Sequence, residues 1–181
     1  MCVFVANFLK STQVDMNDEY SHLEIVCVDI FTSPTALRVF TAYRPPKLDN
    51  NAAVYQASPM QCIHAHCSLD RVNIVTGDFN CPKIDWSCLT SPGDGIHELL
   101  LDCVIECGFT QMVNFCTRKN SVLDLILIDE VQRILTILER PSRGHCCVEF
   151  SVLVDFACDA LSYSSCRYFS WPRADYIGMN N

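Results

Sequence analysis

The chain has no apolar run long enough to cross a bilayer as a helix, which takes roughly 20 residues, so no membrane partner is expected. Met1–Leu9 is apolar but carries no basic leader and no long apolar core followed by small residues, so it does not read as a secretory signal. Low-complexity tracts and internal repeats are missing, which argues against a disordered chain. Positive charge is scarce: 13 Lys and Arg stand against 21 Asp and Glu, a net charge of −8. An autonomous nucleic-acid binder usually presents a basic face, so tight independent binding to a polyanion is not expected.

What the chain does have is 181 residues, half of them hydrophobic and only 19% charged, a globular composition sufficient for one core. Thirteen cysteines are many. With no secretory signal, and an odd count that leaves one thiol over, they are expected to serve as small core hydrophobes in a reducing, intracellular compartment, nuclear or cytoplasmic.

Strand-like runs occur at Cys2–Ala6, Leu23–Phe31 and Leu37–Tyr43, and the last two are expected to pair antiparallel across the Thr32–Thr35 turn. Pro45 and Pro46 end the third run. Asn50–Cys67 reads as a helix that Pro59 interrupts or kinks. Arg71–Thr76 is a strand. Gly95–Cys107 has helical apolar spacing, with Asp94 as N-cap and Gly108 as stop. Gln111–Asn114, Val122–Ile128, Val131–Leu138 and Cys146–Phe156 are strand-like. Strands outnumber helices and the two do not alternate regularly, which predicts an α+β layered sandwich. Residues 1–157 are expected to form the domain and 158–181 a tail or the start of a linker.

The most informative run is Val75–Trp86 (VTGDFNCPKIDW). A buried strand runs into Gly77, Asp78 and Asn80. Side chains alternate along an extended chain, so Asp78 and Asn80 are expected on one side. A carboxylate beside a neutral amide fits metal-assisted phosphoester chemistry. The plainer reading is a turn closed by Asx side chains after a strand. Cys62, His64, His66 and Cys67 invite a zinc reading, but four ligands crowded into one short run do not easily surround a tetrahedral ion, and a cysteine-rich helix surface is preferred. Cys146 and Cys147 are adjacent on a strand, point to opposite faces and read as structural.

Gly77-Asp78-Phe79-Asn80 followed by Pro82 and Ile84-Asp85-Trp86, Tyr43-Arg44-Pro45-Pro46, Gly108–Val113 before Thr117-Arg118, Ser121–Leu127, and in the tail Arg167–Phe169 and Ala174–Tyr176 occur in one order. Together they resemble the endonuclease/exonuclease/phosphatase superfamily, in particular the endonuclease domain of non-LTR retrotransposon (reverse-transcriptase) polyproteins. The resemblance implies a four-layer αββα, DNase I-like sandwich with its site at one edge of two sheets, and hydrolysis of a DNA phosphodiester with Mg²⁺ or Mn²⁺. It gives Asp78 the attacking water and the metal, Asn80 the water and a phosphate oxygen, Asp124 the orientation of a histidine, His145 the transition-state charge, and Tyr43 the scissile phosphate. A carboxylate inside the apolar run around Asp124 is costly unless paired, so a partner such as His145 is expected. Tyr43 could equally be a core aromatic with its hydroxyl satisfied.

Two departures from the family pattern shape the expectation. Nothing in Met1–His22 matches the family's early asparagine-ending and glutamate-ending strands, so the chain reads as an N-terminally truncated relative with an open sheet edge. Arg143-Gly144-His145 replaces the family's Ser-Asp-His, which leaves few oxygen ligands for a hard cation. The expectation is an endonuclease of weak or no activity as this fragment, with DNA bound weakly. The alternative is a catalytically dead remnant acting as an inert or interaction module. A phosphatase acting on a small phosphoester is less favoured because of the retroelement-like tail.

Overall fold

The computed structural model describes residues 2–46, 52–93, 95–140 and 146–154, with the side chains of 52–58 excepted. The expected strand at Cys2–Ala6 does not form. Phe4 and Phe8 are 85% and 72% exposed, so this run has neither a ladder partner nor a burial face to hold it extended. The first strand is Ser11–Gln13 (β1), which pairs antiparallel with Ile25–Ile30 (β2) and lies exposed at the sheet edge.

β2 pairs antiparallel with Ala36–Tyr43 (β3), as its sequence predicts. The chain then crosses over through Ala52–His66 (α1) to Arg71–Asp78 (β4), which runs parallel to β3. Parallel neighbours require such a crossover. The helix continues through Pro59. Proline removes one backbone bond, but Met60, Cys62 and Ile63 directly after it are buried, and their burial offsets that loss.

Ile96–Glu106 (α2) follows and ends at Gly108, whose φ of 67° is the left-handed stop its position predicts; the expected cap Asp94 lies outside the described residues. Thr110–Gln111 (β5) is shorter than its predicted run, and Asp124–Ile128 (β6) begins two residues late. β6 lies antiparallel between β4 and β5, which completes a mixed sheet of order β1-β2-β3-β4-β6-β5. A 3-10 turn takes the first residues of the next predicted strand. Ile134–Arg140 (β7) and Cys147–Val152 (β8) then form a separate hairpin.

Alternation along the central strands builds two cores. Phe40 and Ala42 of β3, Val75 of β4 and Leu125 and Leu127 of β6 pack with Met60 and Ile63 of α1 and Leu100 and Val104 of α2. Leu37, Val72, Ile74 and Ile128 face the other way, against Ile134, Phe150 and Val152 of the hairpin. β4 is buried on both faces through its middle, where Val72, Ile74 and Val75 divide between the two cores. The architecture is α+β, helices on sheet on hairpin, three layers of the αββα sandwich among the described residues. No helix among them is long and apolar enough to cross a membrane.

At the end of the sheet away from Asp78, Asp29 is only 4% exposed and sits directly across from Arg38. Arg38 grips it with two bonds, Nε to Oδ1 at 2.8 Å and Nη2 to Oδ2 at 2.9 Å, and gives Nη1 to the carbonyl of His66 at the end of α1. The Asp29 bond holds the Arg38 guanidinium above its usual range. Arg71 Nε adds an ion pair at 3.2 Å. Removing one member of a buried pair strands the other, so Asp29→Ala is expected to cost about 3–5 kcal/mol, measured as a lowered urea midpoint. Removing Glu149 from the exposed Arg140–Glu149 pair is expected to change that midpoint little.

Candidate active site

The site starts from a backbone constraint. Gly77 has a φ of 141°, and a Cβ there would lie 1.8 Å from the carbonyl oxygen of Ala42. Only glycine lets β4 approach β3 this closely at its end. The next residue, Asp78, is in register with Tyr43 of β3 on one side and Asp124 of β6 on the other. Neighbouring strands lie about 5 Å apart and in-register residues share a face, so Tyr43, Asp78 and Asp124 form one row across three strands. By alternation this is the face that the hairpin covers. One row further in, Thr41 and Thr76 are also in register, their hydroxyl oxygens 3.1 Å apart.

Asn80 reaches this row by a different route from the one its sequence predicts. β4 ends at Asp78, and Asn80 takes a left-handed φ of 47°, so strand alternation does not extend to it. The two residues are joined by the Asx-type bond of the plainer reading: the Asn80 backbone N–H donates to Asp78 Oδ1 at 2.9 Å. The Asn80 side chain donates from Nδ2 to the carbonyl of Arg44 at 2.7 Å.

Asp124 is seated by Thr117, which is 2% exposed. Thr117 Oγ1 accepts the backbone N–H groups of Leu123 and Asp124, both at 3.0 Å. The carbonyl of Thr117 accepts the backbone N–H of Cys146 at 2.8 Å. His145 itself lies outside the described residues, but the residue after it in sequence is therefore bonded to the segment that seats Asp124. The Cys146 thiol is pushed up, first by burial, and the Asp124 carboxylate is among the further causes.

Other residues singled out in the sequence are structural here. Asp85 Oδ1 accepts the backbone N–H of Ser87 at 2.9 Å, the Ser87 hydroxyl at 2.6 Å and the backbone N–H of Cys88 at 3.3 Å. These bonds, the Ser87 hydroxyl foremost, hold its carboxyl below the usual range. In the Cys62–Cys67 run, Cys62 is buried rather than on a helix surface, with its thiol pushed up by burial to about 11, while His64 is exposed. His66 Nδ1 lies 2.8 Å from the carbonyl of Cys62, and its ring meets Tyr20 edge-on.

A family model described as endonuclease-reverse transcriptase matches residues 37–145, which spans every element of this site. The chain belongs to the endonuclease-reverse transcriptase family. Among solved structures, the endonuclease domain of TRAS1, a telomere-specific non-LTR retrotransposon, matches with a TM-score of 0.57 at 18% identity, over 81% of this chain and 70% of that one. An endonuclease/exonuclease/phosphatase family protein from Leptotrichia buccalis gives 0.52 at 15% identity, over 71% of this chain and 52% of that one. A Cimex nitrophorin gives 0.51 at 14%, over 82% and 65%. These likenesses establish the endonuclease/exonuclease/phosphatase fold. The nitrophorin shows that the fold alone does not fix the chemistry, which must be argued from the site. No curated protein is significantly similar to the chain.

Among the described residues no group of three or more His, Cys, Asp and Glu side chains is arranged to hold a metal ion. Asp78 and Asp124 are nevertheless two hard oxygen donors in one row. That set fits Mg²⁺ as it is commonly bound, through one or two carboxylates together with substrate phosphate and water. It does not make a closed site without substrate.

Proposed function

We propose that this member of the endonuclease-reverse transcriptase family is a metal-dependent endonuclease that hydrolyses DNA phosphodiesters, with low activity as this chain. In this reading residues 1–157 form the endonuclease-like domain and 158–181 a tail or the start of a linker. The observation that carries the reading is the Tyr43–Asp78–Asp124 row, with Asn80 bonded to Asp78 at its end.

Asp78 is the base that orients the attacking water and takes its proton. Asn80 uses one N–H of its amide on Arg44, and the second is directed to the water or to a phosphate oxygen. Asp124 orients His145, which stabilises the charge that grows on the phosphoryl oxygens. Tyr43, 37% exposed, contacts the scissile phosphate. Asp78, together with the substrate phosphate, would hold Mg²⁺ or Mn²⁺, which would supply charge neutralisation on that phosphate. The net charge of −8 keeps DNA affinity weak and salt-sensitive.

Supercoiled plasmid incubated with the protein and Mg²⁺ or Mn²⁺ is expected to convert slowly to the nicked circle, and chelation of the metal is expected to stop the conversion. An absence of nicking across the full range of both metals would overturn the proposal. One sequence feature favours a second reading, an inert or interaction module: Gly144 stands where the family pattern has an aspartate.

A further inference from the structure

Arg44 entered the sequence reading only as part of a turn motif, yet it holds three consecutive site residues. Its backbone N–H donates to the carbonyl of Asp78 at 2.9 Å. Its Nη1 donates to the carbonyls of Phe79 and Asn80, each at 3.2 Å. Its own carbonyl accepts the side-chain amide of Asn80 at 2.7 Å. The residue is 8% exposed, and among the described residues its buried Nε has no hydrogen-bond partner. Among the described residues no carboxylate forms an ion pair with it.

A buried guanidinium bonded to carbonyls rather than, among the described residues, to an acid is a costly way to fasten a turn. It is well matched to a turn that must hold an unfavourable shape. Asn80 has a left-handed backbone, a conformation that asparagine tolerates better than most L residues but still at a cost. Two carbonyls drawn onto one cation, with the Asn80 amide returned to the Arg44 carbonyl, over-determine that shape.

We infer that Arg44 is a positioning residue for the nuclease reaction: its guanidinium fixes the Asp78–Asn80 turn so that the Asp78 carboxylate and the Asn80 amide face the phosphate together. It acts through those residues and does not itself contact substrate. The catalytic consequence rests on the endonuclease reading above, whereas the clamp itself does not.

The test therefore has two arms on the full chain. In the first, hydrogen–deuterium exchange follows the backbone amides of 78–80. Arg44→Ala is expected to speed exchange of the Asn80 amide about tenfold, the size of one lost hydrogen bond, with α2 and β2 unchanged. In the second, plasmid nicking with Mn²⁺ is expected to lose about 10²-fold in kcat, as a misplaced catalytic group does, with KM for DNA nearly unchanged. Guanidinium ion at sub-denaturing concentration is expected to restore part of the Arg44→Ala rate.

Should Arg44→Ala fail to fold, Arg44→Met decides, because it keeps most of the apolar stem but can donate to neither carbonyl; it is expected to lose most of the nicking rate. Unchanged exchange at 78–80, or a full rate in Arg44→Met, would overturn the inference. A raised KM with unchanged kcat would also overturn it, since that marks a DNA contact. If the unsubstituted protein does not nick, the endonuclease reading fails and the exchange arm alone decides the clamp: faster exchange supports it and unchanged exchange ends it.

Discussion

Gly77→Ala is expected to leave the protein unable to reach its native sheet. The added Cβ would meet the carbonyl oxygen of Ala42 at 1.8 Å and its carbonyl carbon at 2.8 Å. Both are backbone atoms of the adjacent parallel strand, so no rotamer change relieves the overlap. The φ of 141° adds strain of its own for any L side chain. β3 and β4 are neighbours along their full length, from Ala36↔Arg71 to Tyr43↔Asp78, so moving one strand end disturbs the ladder that both cores are built on. A cost of about 4–5 kcal/mol or more, the exceptional end of single substitutions, is comparable with the whole stability of many domains. Gly93→Ala is the control. Gly93 also has a positive φ, 70°, but nothing lies within 4 Å of its Cβ position, so a loss of about 1–2 kcal/mol is expected. Urea unfolding of the two variants side by side reads the difference. Comparable midpoints would show that β3 and β4 do not approach as described.

Asp78→Asn isolates charge from shape. Asparagine keeps an oxygen where Asp78 Oδ1 accepts the Asn80 N–H at 2.9 Å, and Asx turns accept either residue. The turn, the row with Tyr43 and Asp124 and the stability should therefore survive. What is lost is the negative charge and the capacity to take a proton. Under the proposed mechanism both are required, and nicking should fall by about 10²–10⁴-fold, the range for removing a general base. The reading is the initial rate of open-circle formation beside the unfolding midpoint. A variant that nicks at the parent rate would remove Asp78 from the chemistry and leave it as turn scaffolding. A variant that fails to fold would show that its charge, rather than its shape, holds the turn.

The paired strands Ile25–Ile30 and Ala36–Tyr43 were legible in the sequence because β-branched and aromatic residues run between clear turn signals. α2 was legible because its apolar residues repeat at helical spacing. The Cys2–Ala6 run misled because a strand-like composition does not say whether a partner exists to pair with. Pro59 does not interrupt its helix, because the local rule is overridden by the burial of the residues after it. Asp78 and Asn80 stand out in the sequence as polar residues at the end of an apolar run, and Asp124 as a carboxylate inside one. Their mutual register does not, because it depends on a parallel crossover and an antiparallel return that no local window contains. Thr117 and Arg44 were missed for a related reason. Each works through backbone groups of distant segments, and a threonine or arginine in a turn gives no local sign of that. One signal was available: Thr41 and Thr76 stand two residues before Tyr43 and Asp78, which places all four on one face.

The Tyr43–Asp78–Asp124 row also says when the protein can become competent. Its members are separated by 78 − 43 = 35 and 124 − 78 = 46 positions along the chain. Neither gap closes through local structure; each must pay its loop-closure entropy before any contact rewards it. Such non-local pairings slow folding and come together only as the sheet does. The row therefore has no early, half-built form, and it is complete only once β6 has docked.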